Sequence, residues 1–150
     1  MSGDGQLRYE RCARDVIARA MRAASSVLLL QTLAEFSNVA IRKARIPIKD
    51  IRRTIDAWCA VLPVQAADDS DLLAALEAVR AHRLAFWDAM LWASARRAGV
   101  RHLHTEGLPD GFALQGVTFI NPFNRENDQL IEDVLSVCEV TANSPLKRSA

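Results

Sequence analysis

The sequence lacks most of the features that fix a protein class at a glance. Cysteine is scarce: Cys12, Cys59 and Cys138 stand far apart, and no CxxC pair exists. An odd, scattered set supports neither a disulfide framework nor a zinc knuckle, and reduced, mostly buried thiols are the expectation. Long apolar runs are missing as well. The start, Met1-Ser2-Gly3-Asp4-Gly5, has no apolar signal core. The longest apolar run near it, Val27 to Leu30, is far short of the roughly 20 residues that cross a bilayer. A cytoplasmic protein without a membrane span is expected. Neither sign of charge dominates, since 19 Lys and Arg face 18 Asp and Glu. Any basic surface for nucleic acid must therefore be local. There is no internal repeat, no low-complexity segment and no linker rich in Pro or Gly.

What is present suits one compact domain of 150 residues, half of them hydrophobic. Cys12, Val16, Ala20 and Met21 recur at helical spacing within Tyr9 to Ala24. Val27 to Leu30 is short, continuous and apolar, as in a strand buried on both faces. Thr32 is placed to cap a second helix, with Leu33, Phe36 and Ala40 as its apolar stripe. Pro47 suits a helix start, and Ile48, Ile51, Ile55 and Cys59 follow at helical spacing. Leu62-Pro63-Val64 reads as an extended link or minor edge strand.

Asp68-Asp69-Ser70-Asp71 is a dense helix-start signal, continued by Leu72, Leu76 and Val79 until the pattern fades at His82-Arg83. Another helix opens around Trp87-Asp88 and stops at Gly99, a left-handed cap. Val100 to His104 reads as a strand, Thr105 to Gly111 as a loop, and Val117 to Ile120 as the last strand. Leu130, Ile131 and Val134 suggest one more short helix before a frayed end. Strands alternating with helices imply an α/β fold with a small parallel sheet flanked by helices. It is unusual in opening on a helix.

Ligands of parallel sheets gather outside the carboxyl ends of the strands. Glu35 lies five residues after the first strand, in the first turn of its helix. Glu106 and Asp110 lie in the loop directly after the Val100–His104 strand. Asp88 opens a helix whose neighbours on the same face, Leu91, Trp92 and Ala95, are apolar, so its carboxylate points inward. On spacing alone, a first-turn carboxylate favoured by the helix dipole is the simpler reading of Asp88. An intrahelical ion pair or a solvated face is the simpler reading of Glu35. Carboxylates converging on one strand-end crevice would suit a hard divalent cation such as magnesium. That cation would activate water against a phosphodiester. The periodicity permits this without singling it out.

Basic residues form three clusters: Arg42, Lys43 and Arg45; Arg52-Arg53; and Arg96, Arg97 and Arg101. Each fits a solvated helix face or part of a phosphate track. His102 and His104 alternate on one strand face without a third metal ligand nearby. Trp58, Trp87 and Trp92 suit a core or a dimer seam better than a base-stacking platform.

Several stretches together resemble the PIN-domain family, in particular ribonucleases of the VapC toxin type. Leu33-Ala34-Glu35-Phe36-Ser37-Asn38-Val39 with Arg42-Lys43 is similar to the family's second-helix motif. Leu84-Ala85-Phe86-Trp87-Asp88-Ala89 is similar to its third acidic motif. Ala98-Gly99-Val100, Leu103, Thr105-Glu106, Asp110-Gly111, Gly116 and Asn121-Pro122-Phe123 are similar to its closing strand–loop–strand. These cover roughly residues 9–123 in the family's order. The resemblance implies a three-layer PIN-like domain over residues 1–124, with residues 125–150 as a C-terminal extension. It implies a Mg2+- or Mn2+-dependent endoribonuclease, the toxin of a type II toxin–antitoxin pair. RNA would be its substrate and a cognate antitoxin protein its partner, with a homodimer as its assembly.

By position, Glu35 and Asp88 match two of four acidic ligands, and Arg42 and Lys43 would bind RNA. Two departures follow. The family's opening strand with its Asp-Thr-Asn type motif is absent, and Met1-Ser2-Gly3-Asp4 resembles what normally follows it. Gly107 stands where the fourth acid belongs, with Glu106 and Asp110 as the nearby substitutes. The site is therefore expected to be incomplete. The alternative is a non-catalytic, PIN-derived module that dimerises or binds an antitoxin.

Overall fold

A computed structural model describes residues 15–22 and 26–136. The chain divides into two compact units, one of Val27–Asn121 and one that joins Met1–Ser26 with Pro122–Ala150. In the second, residues 15–22 are helical (α1). A single 3-10 turn, Arg125–Asn127, leads into helix α6, Asp128–Ser136. The rest of the expected first helix, the expected frayed end, Cys12 and Cys138 lie outside the described residues. No described helix is long and apolar enough to cross a membrane.

The Val27–Asn121 unit is α/β, with helices flanking small sheets. Strand β1 is Leu28–Leu29, and helix α2, Leu30–Arg42, starts on the next residue. The strand is thus shorter than Val27 to Leu30, and Thr32 does not cap the helix. Leu29 holds the cap position with an extended backbone and no side-chain bond. Because the helix starts so early, Glu35 sits in its second turn. Helix α3, Ile48–Cys59, follows Pro47 and packs on α2, where Phe36 and Trp58 meet with ring centroids 4.9 Å apart. Only Ile51 of its expected stripe is buried. Ile48 projects from the first turn and is exposed, and Cys59 is an exposed free thiol at the last position, so the expectation of buried thiols fails there. Strand β2, Val64–Gln65, pairs with β1 in parallel, Leu28 opposite Val64.

Helix α4, Asp69–His82, begins with a capping box. The Asp68 carboxylate accepts from the Ser70 and Asp71 backbone N–H groups, and the Asp71 carboxylate accepts from the Asp68 N–H. Such a cap contributes about 1 kcal/mol. The face that α4 buries differs from the leucine stripe. Asp71, Ala75 and Ala78 are buried, whereas Leu72 and Leu76 are exposed. Two causes act together. Ala75 and Ala78 join Ala89 and Ala93 of helix α5, Phe86–Arg97, in one small-residue contact. Arg97 at the end of α5 draws the Asp71 carboxylate inward.

That ion pair joins the two helices. Arg97 donates through Nε to both Asp71 oxygens, at 3.0 and 3.1 Å, and through Nη2 to Oδ2 at 2.9 Å. Nη2 also donates to the Ala66 carbonyl at 2.6 Å, and Asp68 lies 3.2 Å from Nε. Asp71 itself is only 2% exposed. Beyond α5 the chain turns at Gly99, φ +75°, in a Schellman motif: Val100 N–H donates to the Ala95 carbonyl and Gly99 N–H to that of Arg96.

A second sheet completes the unit. Strand β3, His102–His104, lies parallel to β5, Val117–Ile120, and β4, Ala113–Leu114, lies antiparallel to it, giving the order β3-β5-β4. Gln115 and Gly116, at φ 47° and 87°, make the tight hairpin turn between β4 and β5. Val117, Phe119 and Ile120 are fully buried, and the buried Trp92 donates from Nε1 to the Leu114 carbonyl at 3.0 Å. Helix α5 touches both β1 and β5, yet among the described residues no ladder joins the two sheets.

Burial alone would push the Asp71 carboxyl up, but the Arg97 hydrogen bonds, the Asp68 N–H and the Arg97 charge hold it below the ordinary 3.8. Its stabilising contribution is therefore present above about pH 4 and is lost as pH falls through the lowered value. Asp71→Ala is expected to cost about 2–4 kcal/mol in urea unfolding at neutral pH. The deficit should shrink in acid, where the native carboxylate is itself neutralised.

Candidate functional site

Glu35 and Gln31 share one face of α2, four residues apart. The Gln31 side-chain amide donates to Glu35 Oε1 at 2.8 Å and to the Trp87 carbonyl at 3.1 Å. Trp87 belongs to the first turn of α5, directly before Asp88. One amide therefore links the helix that follows β1 to the helix start that carries Asp88.

Asp88 is half-buried. Burial raises its carboxyl above the ordinary 3.8, and the negative charge of Glu35 raises it further. The two carboxylates are thus close enough to repel one another. The third contributor is the loop after β3. A Cβ on Gly107 would stand 2.8 Å from Asp88 Oδ1, so position 107 lies against the carboxylate and the absent side chain keeps that side open. The Gly107 N–H donates to Thr105 Oγ1 at 3.2 Å, and Thr105 N–H donates to the Ile120 carbonyl at 3.0 Å, which ties the loop to β5.

Of the sequence candidates, the fold brings together Glu35 and Asp88. Glu106 is exposed in the same loop. Asp110 Oδ1 accepts from the Asn121 N–H at 2.8 Å, which holds the loop to the end of β5. Among the described residues, no group of three or more His, Cys, Asp or Glu side chains is arranged to hold a metal ion. Arg42 ends α2 and Lys43 follows it, both exposed. Four of the other clustered arginines, Arg52, Arg53, Arg96 and Arg97, have partners within the fold. Arg52 and Arg53 each lie 3.6 Å from an aspartate of their own helix, Asp56 and Asp50. Arg96 stacks over Trp92, 5.2 Å from the ring centroid, and donates to Gln115. His104 is half-buried with a buried, unpartnered Nδ1, and burial, then His102, lowers its pKa. Trp92 is in the core, whereas Trp87 is 64% exposed beside the site.

Gln31 carries little signal in the sequence. Its one signal was an amide side chain four residues before Glu35. Two carboxylates of this kind supply hard oxygen ligands, and a Mg2+ ion usually takes one or two carboxylates with water and phosphate oxygens completing its shell. A carboxyl with raised proton affinity is also one that gains from a nearby positive charge. Compared with protein-family models, the chain matches none, and no curated protein matches it.

Because the folded state raises the Asp88 carboxyl, it binds a proton there more readily than the unfolded chain does. Asp88 therefore destabilises the fold as pH rises through the raised value. Asp88→Asn is expected to raise the thermal midpoint at neutral pH, with the gain disappearing in acid. Carbon-13 detected titration should show Asp88 above 3.8 and moving down in Glu35→Gln. An unmoved Asp88 in that variant would show that the two carboxylates do not interact.

Proposed function

We propose that this chain is a PIN-like, Mg2+- or Mn2+-dependent endoribonuclease of a toxin–antitoxin pair, acting in the cytoplasm from a reduced acidic site of Glu35 and Asp88. One observation carries the reading. Three positions that the resemblance assigns to separate acidic motifs, Glu35, Asp88 and Gly107, meet at one place although they are far apart in sequence.

Glu35 and Asp88 would hold the divalent cation, whose chemistry is to activate water and to stabilise the charge on a phosphodiester. The donor set fits a cation that needs few protein carboxylates. Asp88, braced by the first turn of α5, supplies the half-buried ligand, and Glu35 the exposed one. Gly107 leaves open the side of Asp88 that a side chain would fill. Arg42, at the end of the same helix as Glu35, and Lys43, directly after it, add positive charge suited to an RNA phosphate. A cognate antitoxin and a second copy of the chain are the partners this reading implies. Gly107 in place of an acid favours the second reading, a non-catalytic PIN-derived module that keeps the partner surfaces without cleavage.

The purified chain, given single-stranded RNA and Mn2+, should cleave it and should stop on chelation. Cleavage should fall below detection in Asp88→Ala and persist in Arg52→Ala. Gly107→Ala should lower cleavage by turning the Asp88 carboxylate aside. Equal cleavage by Asp88→Ala would overturn the assignment. No cleavage by the unsubstituted chain, with antitoxin binding retained, would favour the non-catalytic module.

A further inference from the structure

We infer that Gln31 is a positioning residue, its single amide bridging the Glu35 carboxylate to the Trp87 carbonyl and so fixing Glu35 beside Asp88. This rests on the divalent-cation reading of the site. The Gln31 Nε2 group has two hydrogens, and the geometry uses both, at 2.8 Å to Glu35 Oε1 and 3.1 Å to the Trp87 oxygen. The two acceptors belong to different helices, α2 and α5. Glu35 is exposed, so without this tether its long side chain samples several rotamers and must be ordered each time a cation binds. The bridge engages Oε1 and does not use Oε2. It also anchors Glu35 to the same turn of backbone that carries Asp88, so the spacing of the two carboxylates is set by one hydrogen-bonded unit. Gln31 touches neither cation nor RNA in this scheme. It acts through Glu35.

The test is Mn2+ affinity, followed by electron paramagnetic resonance of the free ion, in a cycle of four chains: unsubstituted, Gln31→Met, Glu35→Ala and the double variant. Met keeps the length and helix preference of Gln and removes both donors. Gln31→Met should weaken Mn2+ binding by about tenfold, the scale of one side chain's lost ordering. The same change should have no further effect in the Glu35→Ala background. Unchanged affinity in Gln31→Met overturns the proposal. So does an equal loss in both backgrounds, which would mean a general effect on the fold. Absence of Mn2+ binding by the unsubstituted chain overturns the cation-site reading itself, and the proposal with it.

Discussion

The ion pair between Arg97 and Asp71 fixes the helix on which everything else is placed. Asp71 is almost fully buried and is the second half of the α4 capping box. Arg97 ends α5 and reaches it with a forked set of hydrogen bonds. A buried carboxylate without its partner is costly, so the pair leaves α5 little freedom to slide along α4. The alanines between the two helices have no long side chains to interlock, and the ends must supply the register. Asp88 lies nine residues before Arg97 on one helix, about 14 Å along its axis at 1.5 Å per residue. A rigid helix carries the register set at one end to the carboxylate at the other.

At the opposite end of α5 the balance is reversed. Asp88 is pressed by burial and by Glu35, and no described cation offsets either. The clamp at Arg97 stabilises charge, whereas the start of the helix accumulates it. Perturbed carboxylates of this kind cluster at functional sites. Gly107 belongs to the same arrangement. A side chain there would meet Asp88 Oδ1, so the glycine preserves space at the half-buried Asp88 carboxylate.

Much of this was legible in the sequence, because local chemistry decided it. Asp68 to Asp71 announced the start of α4, Gly99 the left-handed turn, and Val117 to Ile120 the last strand. What failed was set by tertiary contacts. Leu72 and Leu76 formed the obvious apolar stripe of α4, but Arg97 and the alanines of α5 pulled the positions one residue earlier, Asp71 and Ala75, inward. Thr32 looked like a cap until the strand proved to run straight into the helix. The β4 hairpin was missed because its turn is Gln115-Gly116, and glutamine is an uncommon residue at positive φ. For the site, the spacing gave an inward Asp88 and no more. That Glu35 and position 107 lie against it is long-range information, carried in the sequence only by the family resemblance. Gln31 was invisible because its partners are four residues away on one side and fifty-six on the other.

The central claim is that Glu35 and Asp88 form one cation site with the loop at Gly107. Paramagnetic broadening of backbone amide signals on adding Mn2+ at low ratio tests it directly. The account predicts that residues 33–37, 86–90 and 105–109 lose their signals first and together. Broadening centred elsewhere, for example on the acidic start of α4 at Asp68–Asp71, or broadening of one of the three segments without the others, would contradict it.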